Sequence, residues 1–359
     1  MDGKSLKYWL ALSRVRGIGQ FDLNGVMERF GSPEEIFTAP GRILEAFSSV
    51  FAGAVKEFSA WEWAERELGL IDERKVTVVT FMDPRFPPLL RQICDPPCLL
   101  YMKGAGCDFG APAVAVVGTR RPSHYGLRMA EDIAKGLASA GVTVVSGMAR
   151  GCDTAAHNGA IASGGATVAI LGTGVDVAYP KENGKLYDMI RGKGALISEF
   201  PLATPPLPHN FLMRNRIISG LSLGVVVVEA PRRSGALMTA RLALEYNREV
   251  MAVPGQATSL KSAGTNGLIR DGAQLVESAS DVLKALAIPF SAAPLEKERP
   301  RVGGEEGEVL KAIGDDPAHI DMITERTGFP AARISSILLG MEIKGMVKQL
   351  PGKRFLRRV

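Results

Sequence analysis

Glycine and arginine recur together in this 359-residue chain at one kind of place, directly after short apolar runs. Gly118, Thr119, Arg120 and Arg121 follow the run AVAVV, and Ser123, Tyr125 and Gly126 open the next segment. Gly147, Arg150 and Gly151 follow VTVVS. Gly172, Thr173 and Gly174 lead on to Tyr179, Lys181 and Asn183, and a proline-rich loop leads to Arg214, Asn215 and Arg216. Arg232, Arg233, Ser234 and Gly235 follow a fifth run. Glycine lets a backbone approach an anion, and arginine adds a fixed fork of donors matched to phosphate oxygens. Taken singly, each glycine is also a simple turn and each arginine a solvated charge. Recurrence at one edge describes a groove for a polyanion.

Bond-making chemistry is poorly supplied. His124, His157, His209 and His319 form no nucleophile-base-orienter set, and His157 reads as packed beside its helix. Gly172-Thr173-Gly174 begins like a dinucleotide fingerprint, but Val177 stands where the third glycine belongs. No Walker phosphate loop, Gly-x-x-x-x-Gly-Lys-Ser/Thr, is present. Cys94, Cys98 and Cys107 lack a matching second pair and a nearby histidine, so ordinary thiols are expected, with no metal and no cofactor.

These residues require a scaffold that brings successive turns to one edge. Val142 to Ser146 is a β-branched run suited to a strand buried on both faces, and Asp153 and Thr154 offer capping oxygens to the helix that follows. Strands are predicted at 113–117, 142–146, 167–171, 195–198, 224–229 and 249–253. Helical stretches lie between them at 126–139, 153–163, 185–192, 211–220 and 236–247. Alternation of this kind gives a doubly wound, mostly parallel α/β sheet of the Rossmann-like type, whose ligands sit beyond the carboxyl ends of the strands.

The flanks differ in kind. Residues 1–75 read as a helical module in which Gly17-Ile18-Gly19 resembles a helix-hairpin-helix turn or, equally, a plain interhelical turn. Ser32 and Pro33 mark a capped helix start. The α/β domain is placed at 76–288, and 289–307, rich in proline, glycine and mixed charge, reads as a linker. Residues 308–359 contain three helical patterns and a hairpin, the order of a winged helix. After Glu342 that segment holds Lys344, Lys348, Lys353, Arg354, Arg357 and Arg358 and no acid. Such an end meets phosphate or is merely solvated.

A net charge of +5 makes a polyanionic partner plausible without requiring one. The N-terminus has no basic region followed by an apolar core and cleavage site, and the longest apolar run is short of a membrane span, so a cytoplasmic protein is expected.

The stretches AVVGTRRPSHYG, VVSGMARGCDTAAH, LGTGVDVAYPKEN, ISEFPLATPPLPHNFLMRNRIISGLS, VVVVEAPRRSGALMTA and GTNGLIRDGAQLV, in this order and spacing, resemble the DNA-processing protein A family, DprA or Smf. The likeness covers about residues 75–285. It implies an extended Rossmann-like domain that binds single-stranded DNA without catalysis, helps load RecA recombinase, acts in natural transformation and dimerises through this domain. By motif, Arg120 and Lys181 would contact DNA phosphate, while Arg150 and Arg214-Asn215-Arg216 would shape and charge the groove. Gly118, Thr119, Arg121, Ser123, Gly147, Gly151 and Asn183 complete the expected DNA-binding set. Thr119 replaces the family's usual serine and keeps the hydroxyl; Cys152 replaces a frequent isoleucine.

The implied mechanism is electrostatic, with guanidinium, ammonium and backbone amide groups tracking phosphates while bases stay unpaired. Tyr125, Tyr179 and Phe211 are the candidate stacking platforms in a chain that is only 6% aromatic, though residues of this kind are more often core than stack. Neutralising some four phosphates gives a log-log salt slope of roughly −3 for single strands. The alternative is a nucleotide-binding hydrolase like the lysine-decarboxylase-like phosphoribohydrolases. Its loop, aligned on Gly235, puts Thr239 where the reacting glutamate belongs, leaving Glu199 or Glu229 as substitutes. A non-catalytic nucleotide sensor would use the same turns.

Overall fold

The computed structural model describes residues 3–15, 22–289, 303–314 and 317–357. The chain divides into two compact units, Met1–Phe290 and Ser291–Val359. Gly17 to Gly19 and Arg358 lie outside the described residues.

The first unit is built on a nine-stranded sheet: β1 Thr77–Thr80, β2 Leu99–Gly104, β3 Ala113–Val117, β4 Thr143–Ser146, β5 Thr167–Ile170, β6 Ala195–Ser198, β7 Gly224–Val227, β8 Glu249–Ala252 and β9 Gln274–Leu275. Their spatial order is β1-β2-β6-β5-β4-β3-β7-β8-β9. Pairing is antiparallel for β1 with β2 and β2 with β6, and parallel for the rest. From β3 the chain winds one way through β4, β5 and β6, then returns to β7 on the other side of β3. That reversal is the topological switch point, where an open α/β sheet leaves a crevice.

All four residues of β4, β5, β6 and β7 are buried. Helices cover both faces, which is why these strands read as continuous apolar runs and not as alternating ones. The two-residue period survives inside: Val114 and Val116 of β3 enter one core, and Ala115 and Val117 enter the other. Helices His124–Ser139 and Cys152–Ala162 lie on the same face. They approach so closely that a Cβ at Gly159 would stand 2.2 Å from the Glu131 carbonyl oxygen, so only glycine fits that crossing.

The helices before β1 share the larger core with the sheet. Trp9, Leu10, Phe51 and Ile71 join Leu100, Ile170 and Ile197 in one buried cluster. Ser32 caps helix Pro33–Thr38, its Oγ accepting from the Glu35 N–H at 3.3 Å. The expected strands and helices of the sheet are all present, with ends shifted by up to three residues. Proline at the first turn of Pro208–Gly220 is the cause of the largest shift, since it tolerates that position without an N–H.

The second unit packs helices Gly304–Ile313, Ile320–Thr327 and Ala331–Ile343 around Val309, Ile323, Ile334, Leu338 and Phe355. The first of these begins inside the stretch expected as linker, where Glu305 and Glu306 suit the positive end of a helix dipole. A hairpin of Val347–Leu350 with Arg354–Arg357 forms the wing, and Ala318–His319 adds a short third strand to it. This is a winged-helix arrangement.

Candidate nucleic-acid interface

The crevice at the switch point is open and has a volume of about 490 Å³. Gly118, Thr119, Arg120 and Arg121 line it from the turn after β3, Ala149 and Asp153 from the turn after β4, and Pro231, Arg233 and Ser234 from the loop after β7. Helix Pro208–Gly220 closes one side with Phe211, Leu212, Arg214 and Asn215. Arg120, Arg121, Lys181, Arg232 and Arg233 are exposed. Among the described residues none of the five has a carboxylate partner within 4 Å.

Two rings join these cations. The Arg120 guanidinium carbon lies 5.7 Å from the centroid of Phe211, and Phe211 lies 5.4 Å from Tyr179. Tyr179 is exposed, and Lys181 follows it at the start of a short 3-10 turn, Lys181–Asn183. Tyr125 instead donates its hydroxyl to the Pro254 carbonyl at 2.9 Å, away from the two-ring cluster.

Beneath this surface, the turn Gly147–Gly151 is bound on every side. Asp153 accepts from the N–H groups of Gly147 at 3.1 Å and Ala149 at 3.3 Å. Asp153 therefore reaches back to the turn and does not cap its own helix, which begins after Gly151 without a side-chain cap. Thr154, likewise expected as a cap, donates to the Ala149 carbonyl at 2.7 Å. Met148 adopts a left-handed φ of 60°, and its carbonyl accepts from Asn183 Nδ2 at 2.9 Å. Gly151 has φ 79°, and a Cβ there would stand 2.5 Å from the Thr119 carbonyl oxygen, so the turns after β3 and β4 meet through this glycine.

Arg214 is buried at the floor of the crevice. Its Nη1 donates to the carbonyls of Gly147 at 2.6 Å and of Ile170. Burial lowers its pKa to about 10, against the attraction of Asp153. Burial pushes Asp153 upward in turn, opposed first by Arg214 and then by the two amides. This pair neutralises charge under the turns and braces them.

The expected set thus separates by place. Gly118, Thr119, Arg120, Arg121, Arg214 and Asn215 line the crevice, with Arg214 presenting a braced floor. Arg150 is exposed on the rim and pairs with Glu182, which lowers the Glu182 pKa. Ser123 caps helix His124–Ser139 through the Gly126 N–H, Asn183 is buried, and the carbonyl of Gly147 is taken by Arg214. Arg216 is not brought to the crevice: it pairs with Glu199 and Asp95 under helix Pro208–Gly220 and is only 13% exposed at its side chain. Arg233 and the Phe211–Tyr179 pair complete the site. Their signals in the sequence were the Arg-Arg after β7 and two isolated aromatics, which become a cluster only on folding.

The two glutamates considered as stand-ins for a hydrolase's acid are both engaged. Glu229 is buried and accepts from the Ser123 N–H at 2.7 Å, while the partly covered Glu199 pairs with Arg216. Among the described residues no cluster of three or more metal-ligating side chains occurs, and no helix is long and apolar enough to cross a membrane.

An open α/β sheet with a cationic, glycine-lined crevice at its switch point, accompanied by a winged-helix unit, defines a Rossmann-like protein equipped for a polyanion. The chain belongs to the family described as DNA recombination-mediator protein A, whose model matches residues 77–287, and the DprA winged helix domain matches 291–353. It is 32% identical to Protein Smf of Synechocystis over 98% of both chains, and 39% identical to Protein Smf of Escherichia coli over 74% of both. Among solved structures it resembles DNA processing protein A of Streptococcus pneumoniae, with TM-score 0.66 and 35% identity over 79% of this chain and 96% of that one. It also resembles the DNA processing protein A of Helicobacter pylori, described by its single-stranded DNA binding mode, with TM-score 0.54 and 29% identity over 60% of this chain and 98% of that one.

Proposed function

We propose that this protein binds single-stranded DNA along the switch-point crevice and delivers the strand to RecA recombinase in the cytoplasm, as a homodimer and without catalysing a reaction. The observation that carries the reading is a crevice lined by three exposed cations without carboxylate partners among the described residues, Arg120, Arg121 and Arg233, with exposed Arg232 next to Arg233 in the chain and exposed Lys181 two residues beyond the Tyr179 that packs on Phe211. Phosphates would follow these side chains, and a base would rest on the Tyr179–Phe211 rings, since every base offers a π-face to such a platform. A crevice of about 490 Å³ has room for an unpaired nucleotide. The described relative from Helicobacter pylori supports the choice of single strands.

Binding of a labelled single strand and of its duplex across a salt series tests this, with Arg120→Ala and Lys181→Ala alongside. Preference for the single strand, a log-log slope of roughly −3, and losses in both variants are expected. Binding that ignores salt, or a folded protein that binds neither form, would sink the proposal. RecA filament assembly on coated single strands is the second assay.

A further inference from the structure

The loop between β6 and helix Pro208–Gly220 is held from outside the span that the family model matches. Glu67, on helix Trp61–Glu73, is 3% exposed, and its Oε1 accepts from the Leu202 N–H at 2.8 Å. Arg74, at the end of the same helix, pairs with Asp176. Asp176 in turn accepts from the Ala203 N–H, at 2.9 Å to Oδ1 and 3.2 Å to Oδ2. Ala203 has a φ of 58°, a conformation that a residue with a Cβ holds only where its surroundings impose it. The Gly174 N–H adds a bond to the Thr204 carbonyl at 3.0 Å.

Both ends of this lattice lead toward the Tyr179–Phe211 pair, of which Phe211 lines the crevice. Asp176 lies three residues before Tyr179 and five before Lys181, in one turn. The loop leads directly into the helix whose first turn carries Phe211, against which Tyr179 rests. Resting on the single-stranded DNA reading above, we infer that Glu67 and Arg74 are positioning residues for the DNA groove. They form a polar strut from the N-terminal helices that sets Lys181, Tyr179 and Phe211 in register with the cations after β3 and β7. Arg74, its side chain 34% exposed, and the buried Glu67 both spend polar atoms on this one loop, Arg74 through Asp176 and Glu67 as an oxygen acceptor for the Leu202 N–H.

The test uses the full chain and a fluorescein-labelled oligothymidylate over a salt series. Losing one charge-assisted bond of the strut should raise Kd about tenfold in Arg74→Ala and in Glu67→Leu. Glu67→Gln keeps an oxygen for the Leu202 N–H and should bind like the wild type. Arg74→Ala should lower the salt slope as Lys181→Ala does, by about 0.7 for one phosphate lost. The double variant of Arg74→Ala with Lys181→Ala should bind no worse than the weaker single, whereas Arg74→Ala with Arg233→Ala should show additive losses.

General destabilisation would give additive losses with both partners and an unchanged slope, which would overturn the strut. So would wild-type binding by Arg74→Ala and Glu67→Leu when Lys181→Ala is defective, leaving the groove itself intact. If the wild type binds no single strand, the groove reading falls, and amide exchange at Leu202 and Ala203 judges the strut separately. Faster exchange in both variants upholds the strut, and unchanged exchange removes it.

Discussion

The guanidinium of Arg120 lies over the face of Phe211, 5.7 Å from carbon to centroid, so a cation and an aromatic face share one wall of the crevice. The two should fail differently. Arg120→Ala removes a phosphate contact and should lower the log-log salt slope by about 0.7 for single-stranded DNA. Phe211→Ala removes a stacking face and should weaken binding by about 1–3 kcal/mol while leaving the slope unchanged. Fluorescence anisotropy over a salt series separates them, and equal slope changes in both variants would contradict the assignment.

Arg214 should matter through the fold. Arg214→Met leaves the carbonyls of Gly147 and Ile170 without their donor and a buried Asp153 without its counter-charge, so a loss of about 3–5 kcal/mol in unfolding free energy is expected. Denaturant unfolding measures it. A variant as stable as the wild type would mean that the floor of the crevice is not braced in this way.

Gly151→Ala combines two faults. A left-handed φ of 79° costs a residue with a Cβ about 1–2 kcal/mol, and the added carbon would press on the Thr119 carbonyl at 2.5 Å. Since the turns after β3 and β4 meet there, the variant should lose stability and single-strand affinity together. Calorimetry and a binding isotherm on the same preparation would detect the pairing, and a stable, fully binding variant would refute it.

His157 gives the protein a sensitivity to acid. The Thr167 hydroxyl donates to the Val144 carbonyl at 2.8 Å, so His157 Nδ1 must donate to that hydroxyl at 2.7 Å, leaving Nε2 buried without a partner among the described residues. Burial, aided by repulsion from Arg214, lowers its pKa from 6.5 to about 3. The unfolded chain therefore binds a proton that the folded one refuses between these values. Stability is full above about pH 6.5 and falls on acidification until about pH 3, by about 2 kcal/mol between pH 7 and 5 from this group alone. His157→Gln should flatten that part of the stability-pH curve in denaturant titrations, and an unchanged curve would exclude the histidine as its source.

The elements of the sheet were legible in the sequence because their signal is local. The run Gly224–Val227 carries no polar side chain, since both faces of its strand are covered, and turn glycines and arginines punctuate each such run. The glycine-rich turns of the crevice were equally visible, because Gly118 and Gly147 directly follow strands and Gly151 starts the next helix whatever the order of the strands in space.

Local order along the chain thus dictated the alternation of strand and helix and the carriage of cations on the turns. Which cations stand free was settled by folding. Arg214 and Arg216 are two residues apart in one motif, yet one braces the crevice floor and the other pairs with Glu199 and Asp95 beneath the helix, because side chains two apart on a helix point in different directions. Tyr179 and Phe211 became neighbours, and Glu67 reached Leu202 across 135 residues, through contacts that no local spacing encodes. Such partnerships depend on how the strands are ordered and how the N-terminal helices pack on the sheet, and only the folded chain brings those distant segments together.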